Sequence, residues 1–188
     1  MLRTRFLSAV CCISLLGGCA SFEAPSYSPD YQSIDALKSK SLNSLSLGEF
    51  SPMDSKASVN RISLRAATFK AKQGTFTEYF KEALQADLTE IGIYSPDSSL
   101  VISATLLEND LDISGFSKGY GMMKVRLEIK RGDQSLFDKV YDANTEFESS
   151  FAAAVAVPKA QTEYPVLVKT LLAKVYIDQE FVKVVSKL

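Results

Sequence analysis

The sequence predicts an α+β domain: an antiparallel sheet of about five strands covered on one face by two main helices, in the order β-β-α-β-β-β-α. Three observations carry this. Residues 122–131, MMKVRLEIKR, alternate strictly, with Met123, Val125, Leu127 and Ile129 on one side and Lys124, Arg126, Glu128 and Lys130 on the other. A period of two with one charged face describes an antiparallel strand with one side in water. Gly132 and Asp133 separate that run from a second alternating one, which is the signature of a tight hairpin. Upstream, residues 74–92, GTFTEYFKEALQADLTEIG, repeat their apolar side chains at helical spacing.

The folded part is expected to begin near Leu45. LSLGEF (45–50) and ASVNRISLRA (57–66) have the branched residues and alternation of two short strands. In the helix that follows, Thr75 and Glu78 fit a capping box, in which hydroxyl and carboxylate satisfy unpaired backbone N–H groups. Phe76, Tyr79, Phe80, Ala83, Leu84, Leu88 and Ile91 form its apolar stripe, and Gly92 supplies the left-handed stop. SLVISATLLE (99–108) reads as a largely buried strand, and QSLFDKVYDANTEFE (134–148) as the strand after the hairpin, with Phe137, Tyr141 and Phe147 on one parity. Pro158 can open the last long helix, in which Pro165 marks a bend or a later start, and Asp178 can cap a short final helix. The run FAAAVAV (151–157) is read as buried, with a smooth exposed patch for a partner or lipid as the alternative.

The composition removes much chemistry. The chain of 188 residues has no histidine, so neither a Ser-His-Asp triad nor an imidazole-bound zinc can form within it. Its Cys11, Cys12 and Cys19 all precede the domain, which leaves no thiol for a disulfide framework or a metal cluster in the body. A formal charge of −1 gives no reason to expect nucleic acid.

Two motifs invite a site. GFSKG (115–119) matches the Gly-x-Ser-x-Gly nucleophile elbow, but strands are expected on both sides of Ser117 where the elbow requires a strand and then a helix. Lys118 is its immediate neighbour, and no Ser-x-x-Lys dyad occurs. Glu108, Asp110 and Asp112 fall on one side of a strand and could gather a calcium ion, yet Ile113 occupies the turn-glycine position of an EF-hand and Gly119 its closing glutamate. A solvated acidic strand end is the preferred reading. The tripeptide RGD at 131–133 is explained by the hairpin turn. No catalytic, cofactor-binding or metal-binding residue is assigned, and no enzyme activity is expected.

The amino terminus is more specific. Arg3 and Arg5 precede an apolar run, FLSAVCCISLL (6–16), too short to span a membrane and typical of a secretory signal. It ends in LGGC, Leu16 to Cys19. This resembles the lipobox of bacterial lipoproteins processed by signal peptidase II. The resemblance implies cleavage after Gly18 and acylation of Cys19. Ala20 stands where an aspartate would signal inner-membrane retention, so it also implies the outer membrane, on its periplasmic side. Removing residues 1–18 takes away Arg3 and Arg5 and no acid, leaving 19 basic and 22 acidic side chains, a formal charge of −3. Attachment then rests on lipid and not on a polybasic patch.

The domain organisation expected is therefore a signal peptide at 1–18, a lipidated Cys19 with a flexible tether through 44, and one globular domain over 45–188. The tether reading rests on serine-rich composition with Pro25 and Pro29. Such a tether would span roughly 25–30 Å. Phe22, Tyr27 and Tyr31 are incidental in this reading, and residues 34–40 could form a helical turn. In element order and anchor the domain is similar to small α+β periplasmic lipoproteins, the YajG-like group. That similarity implies an accessory or adaptor in envelope transport or assembly that binds another envelope component, with an envelope protein as the expected partner. A carrier sheltering a lipid or small apolar ligand between sheet and helices is the alternative, and a Ser/Lys or carboxylate hydrolase is the least favoured reading.

Overall fold

The computed structural model describes residues 21–187. Its elements are β1 (Ser21–Glu23), α1 (Tyr31–Lys38), β2 (Ser46–Ser51), a 3-10 turn (Ser58–Asn60), β3 (Ile62–Leu64), β4 (Ala67–Lys70), α2 (Phe76–Ile91), β5 (Leu100–Asp112), β6 (Lys118–Arg131), β7 (Gln134–Glu148), α3 (Ala153–Ile177) and α4 (Gln179–Val185). The α+β class holds, but two sheets replace the expected single one. The main sheet has four strands in the order β2-β5-β6-β7, and a small one has the order β1-β4-β3. The main sheet is not wholly antiparallel either, because β2 lies parallel to β5 along its edge. The crossover between them carries α2, as a parallel pair requires.

The long hairpins follow the alternation. Met123, Val125, Leu127 and Ile129 are at most 2% exposed, and Phe137, Tyr141 and Phe147 join them on the inner face. Gly132 turns the chain between β6 and β7 with φ +56°, in the left-handed region. The α2 helix starts where the Thr75 hydroxyl accepts the Glu78 N–H at 3.0 Å and ends where Gly92 takes φ +87°. Asp178 caps α4 by accepting the Glu180 N–H at 2.9 Å. The α3 helix begins five residues before Pro158 and runs through both prolines. Tertiary packing of Ala156, Val157, Ala160 and Tyr164, all buried, holds this stretch helical across the two positions that lack an N–H donor.

The largest departure lies in residues 21–44. Nothing in them behaves as a tether. The β1 strand pairs with β4, and the Ala24 N–H donates to the Lys70 carbonyl at 2.8 Å. Ile34 and Leu37 of α1 are at most 1% exposed. Leu42 then bridges to Ser186 and Leu45 to Tyr94. The first described residues already belong to the domain. The signal-peptide reading of 1–18 and Cys19 itself lie outside the described residues.

Candidate functional site

Local chemistry at one end of the main sheet sets it apart. The β5–β6 loop carries Gly115, Phe116 and Ser117 of GFSKG at a hairpin tip, and Lys118 and Gly119 already begin β6. Ser117 is exposed, and its carbonyl accepts the Ser149 N–H at 2.8 Å. No nucleophile elbow forms, because the chain continues as β6 and not as a helix. Gly115 is needed for the tight loop, since a Cβ there would run into the Lys118 carbonyl. Gly119 and Gly121 lie within β6, where a Cβ would overlap the Phe147 ring and the Thr145 hydroxyl respectively.

Phe116, from this tip, is 80% exposed and stacks on Phe151 at 5.6 Å between centroids with the planes 15° apart. Phe151 is 71% exposed. Ala152, Ala153, Ala154 and Val155 are exposed beside it. The run 151–157 is thus open over its first five residues and buried only at Ala156 and Val157, which corrects the expected burial. The reason is geometric. The run straddles a helix start, and only the turn facing the sheet is covered.

Arg65 holds this end together. It occupies the β3–β4 turn with φ +58°, an unusual conformation for a side chain with a Cβ. Its guanidinium donates to the Ile113 carbonyl at 3.1 Å, to the Ser150 carbonyl at 2.7 Å and to the Phe151 carbonyl, and it lies 5.8 Å from the Phe151 ring centroid. One cation thereby ties three loops. The same turn leads into β4, whose Thr68 is paired with Ser21.

The acidic strand end is occupied with its neighbours. Glu108 pairs with Lys124 at 2.5 Å, Asp110 accepts the Leu111 N–H at 2.9 Å, and Asp112 accepts the Ser114 N–H at 2.8 Å. That last bond holds the Asp112 carboxyl below its ordinary range. Among the described residues, no group of three or more Asp, Glu, Cys or His side chains is arranged to hold a metal ion.

A second unexpected feature lies inside. Asp87 of α2 is 1% exposed and accepts the hydroxyls of Tyr27 at 2.9 Å and Tyr176 at 2.8 Å. Burial pushes its pKa up to about 6 against the pull of the two hydroxyl donors. Tyr27 belongs to the segment read as tether, so Asp87 latches that segment to α2 and α3. Lys169 stands 5.9 Å from the Tyr27 ring and reaches the Ser28 hydroxyl at 3.4 Å.

Between sheet and helices the space is filled by side chains. Phe69, Phe76, Tyr79 and Tyr164 pack with ring centroids 4.8–5.6 Å apart, and the Tyr164 hydroxyl donates to Asn109 at 3.1 Å. Open concavities lie at the surface. One of about 690 Å³ is lined by Asn43, Arg131, Leu136, Lys183 and Val184, and another of about 430 Å³ by Val59, Arg61, Leu107, Asn109 and Met122. Leu107, Tyr120 and Met122 expose apolar surface on the outer face of the sheet, each 41–43% accessible. Among the described residues, no helix is long and apolar enough to cross a membrane.

No family model and no curated protein matches the sequence. Solved structures do align with it. A minor lipoprotein from Acinetobacter baumannii aligns with a TM-score of 0.45 at 14% identity, over 79% of this chain and 98% of its own. A hypothetical protein from Chlamydia trachomatis aligns with a TM-score of 0.46 at 11% identity, over 72% and 96%. The fold is that of a Xanthomonas campestris protein of the DUF330 family, which superposes with a TM-score of 0.53 at 10% identity over 84% of this chain and 95% of that one.

Proposed function

We propose that the chain is a non-enzymatic lipoprotein, anchored through acylated Cys19 in the outer membrane on its periplasmic side, where it serves as an accessory or adaptor by binding another envelope protein. The observation that carries this is the succession of Arg3 and Arg5, the apolar run and LGGC, followed almost at once by a compact domain at Ser21. A terminal cysteine bearing several acyl chains suffices for stable attachment, at about 0.8 kcal/mol per buried methylene. The partially exposed Leu107, Tyr120 and Met122 on the outer sheet face suit contact with a protein partner. The packed aromatic interior favours an adaptor over a carrier, because a ligand between sheet and helices would have to displace Phe76 and Tyr164.

Metabolic labelling with palmitate tests the anchor. The wild-type chain should incorporate label and fractionate with outer membranes, and Cys19→Ala should lose both. Crosslinked membranes followed by affinity capture test the adaptor role. One partner recovered reproducibly, and reduced by Met122→Glu, supports it; no partner in repeated captures, or a stoichiometric lipid in native mass spectra, argues against it.

A further inference from the structure

We propose that the Phe116–Phe151 end of the domain is a bilayer-docking surface, whose two rings enter the headgroup region of the leaflet that holds the acylated Cys19. The inference rests on the anchorage proposed above and goes beyond it, because an anchored domain need not touch the membrane at all.

The length and start of the chain fix the occupant. Two peptide steps separate Cys19 from Ser21, and an extended chain reaches at most about 7 Å over them. Ser21 is paired with Thr68 near the start of β4, and β1 runs parallel to it, so both strands set out from the side of the turn that carries Arg65. Arg65 is bonded to the Ile113, Ser150 and Phe151 carbonyls. The anchor therefore attaches on the side of the domain that carries Phe116 and Phe151, within a short reach of Ser21. The opposite end of the main sheet lies far off: β6 has 14 residues and extends roughly 45 Å.

The chemistry at the two ends agrees with this placement. Two phenylalanines over 70% exposed, beside exposed alanines and Val155, form an apolar protrusion of the kind that settles at a membrane interface. The far turn presents Arg131, Asp133 and Gln134, all exposed and polar. Arg65 keeps its guanidinium against loop carbonyls, so the protrusion is held in shape before it meets lipid. With a formal charge of −3 after cleavage, the chain is not drawn to anionic lipid as a whole, and apolar insertion guided by the acyl chains is the remaining attraction.

The test uses the full mature lipidated chain in phosphatidylethanolamine–phosphatidylglycerol vesicles. Acylation consumes the Cys19 thiol, so Ser117→Cys and Asp133→Cys each supply a lone thiol for an environment-sensitive fluorophore. Nitroxide lipids labelled high on the acyl chain should quench the position-117 probe about threefold more than the position-133 probe, since interfacial insertion places side chains roughly 5–10 Å deep. Adding Phe116→Ser and Phe151→Ser should bring the first probe down to the level of the second while the protein still floats with the vesicles. Equal quenching at 117 and 133 in floating, palmitate-labelled protein overturns the docking surface and leaves the anchor intact. A blue-shifted 117 probe that nitroxide lipids do not quench also overturns it, because a second copy or another protein then covers the rings. A wild-type chain that neither incorporates palmitate nor floats overturns the anchorage and the docking surface together.

Discussion

Phe69, Phe76, Tyr79 and Tyr164 meet at 4.8–5.6 Å and are at most 1% exposed, whereas Phe116 and Phe151 stack at 5.6 Å with most of their surface in solvent. The pairwise geometry is similar, but the surroundings differ. The inner cluster is closed by helices on one side and sheet on the other. The outer pair stands on a hairpin tip and a helix start, with Arg65 beside Phe151 and most of both rings open to solvent. The inner cluster is therefore a source of stability. The outer pair gains little from folding, and its apolar surface remains free for something outside the chain.

Substitutions can break this contrast, and the largest effect belongs to the inner cluster. Phe76→Ala should lower unfolding free energy by about 3–5 kcal/mol, as a truncated buried aromatic does, measured by urea denaturation. Asp87→Ala should follow at about 2–4 kcal/mol, because it strands the Tyr27 and Tyr176 hydroxyls in the interior. Asp87 also sets a pH dependence. Its folded pKa, about 6, lies above the ordinary 3.8, so the folded state binds the proton more tightly. Its contribution is full below about pH 4 and is lost as the pH rises through about 6, a fall on the order of 2–3 kcal/mol that Asp87→Asn should remove.

Arg65→Ala should cost about 1–3 kcal/mol by releasing charge-assisted bonds to the loops, and it should raise amide exchange in residues 113–117 and 149–152 selectively. Phe116→Ser should change stability by no more than about 0.5 kcal/mol in either direction, as at other exposed sites. A large loss there would show that the outer pair is part of the core after all, and the contrast would collapse.

The parts of this architecture that were legible in the sequence are those written locally. Alternation in 122–131 identifies β6, the Thr75–Glu78 box and Gly92 delimit α2, and Gly132 marks the hairpin. Of the small sheet only β3 was legible, within the run 57–66, because β1 is three residues long and β4 four, too short for a period to register. Residues 21–44 look like a linker by composition and fold because of distant partners: Tyr27 bonds Asp87, 60 residues away, and the Tyr79 hydroxyl donates to the Pro25 carbonyl at 2.8 Å. The exposed end was legible only as an ambiguity in 151–157, since Phe116 and Phe151 are brought together by the fold and by Arg65, which carries no motif. Cys19 is the reverse case: its signal is entirely local, and it lies outside the described residues.

The spacing between membrane and domain is where these regions meet. With Cys19 acylated as proposed, a tether through residue 44 would leave a hydrated gap, whereas a domain that includes Ser21 would leave little. Neutron reflectometry of the lipidated chain on a supported bilayer measures that gap directly. Protein density should begin within the headgroup layer. A water-rich layer of about 20 Å or more between headgroups and protein, as a flexible tether would produce, would contradict it.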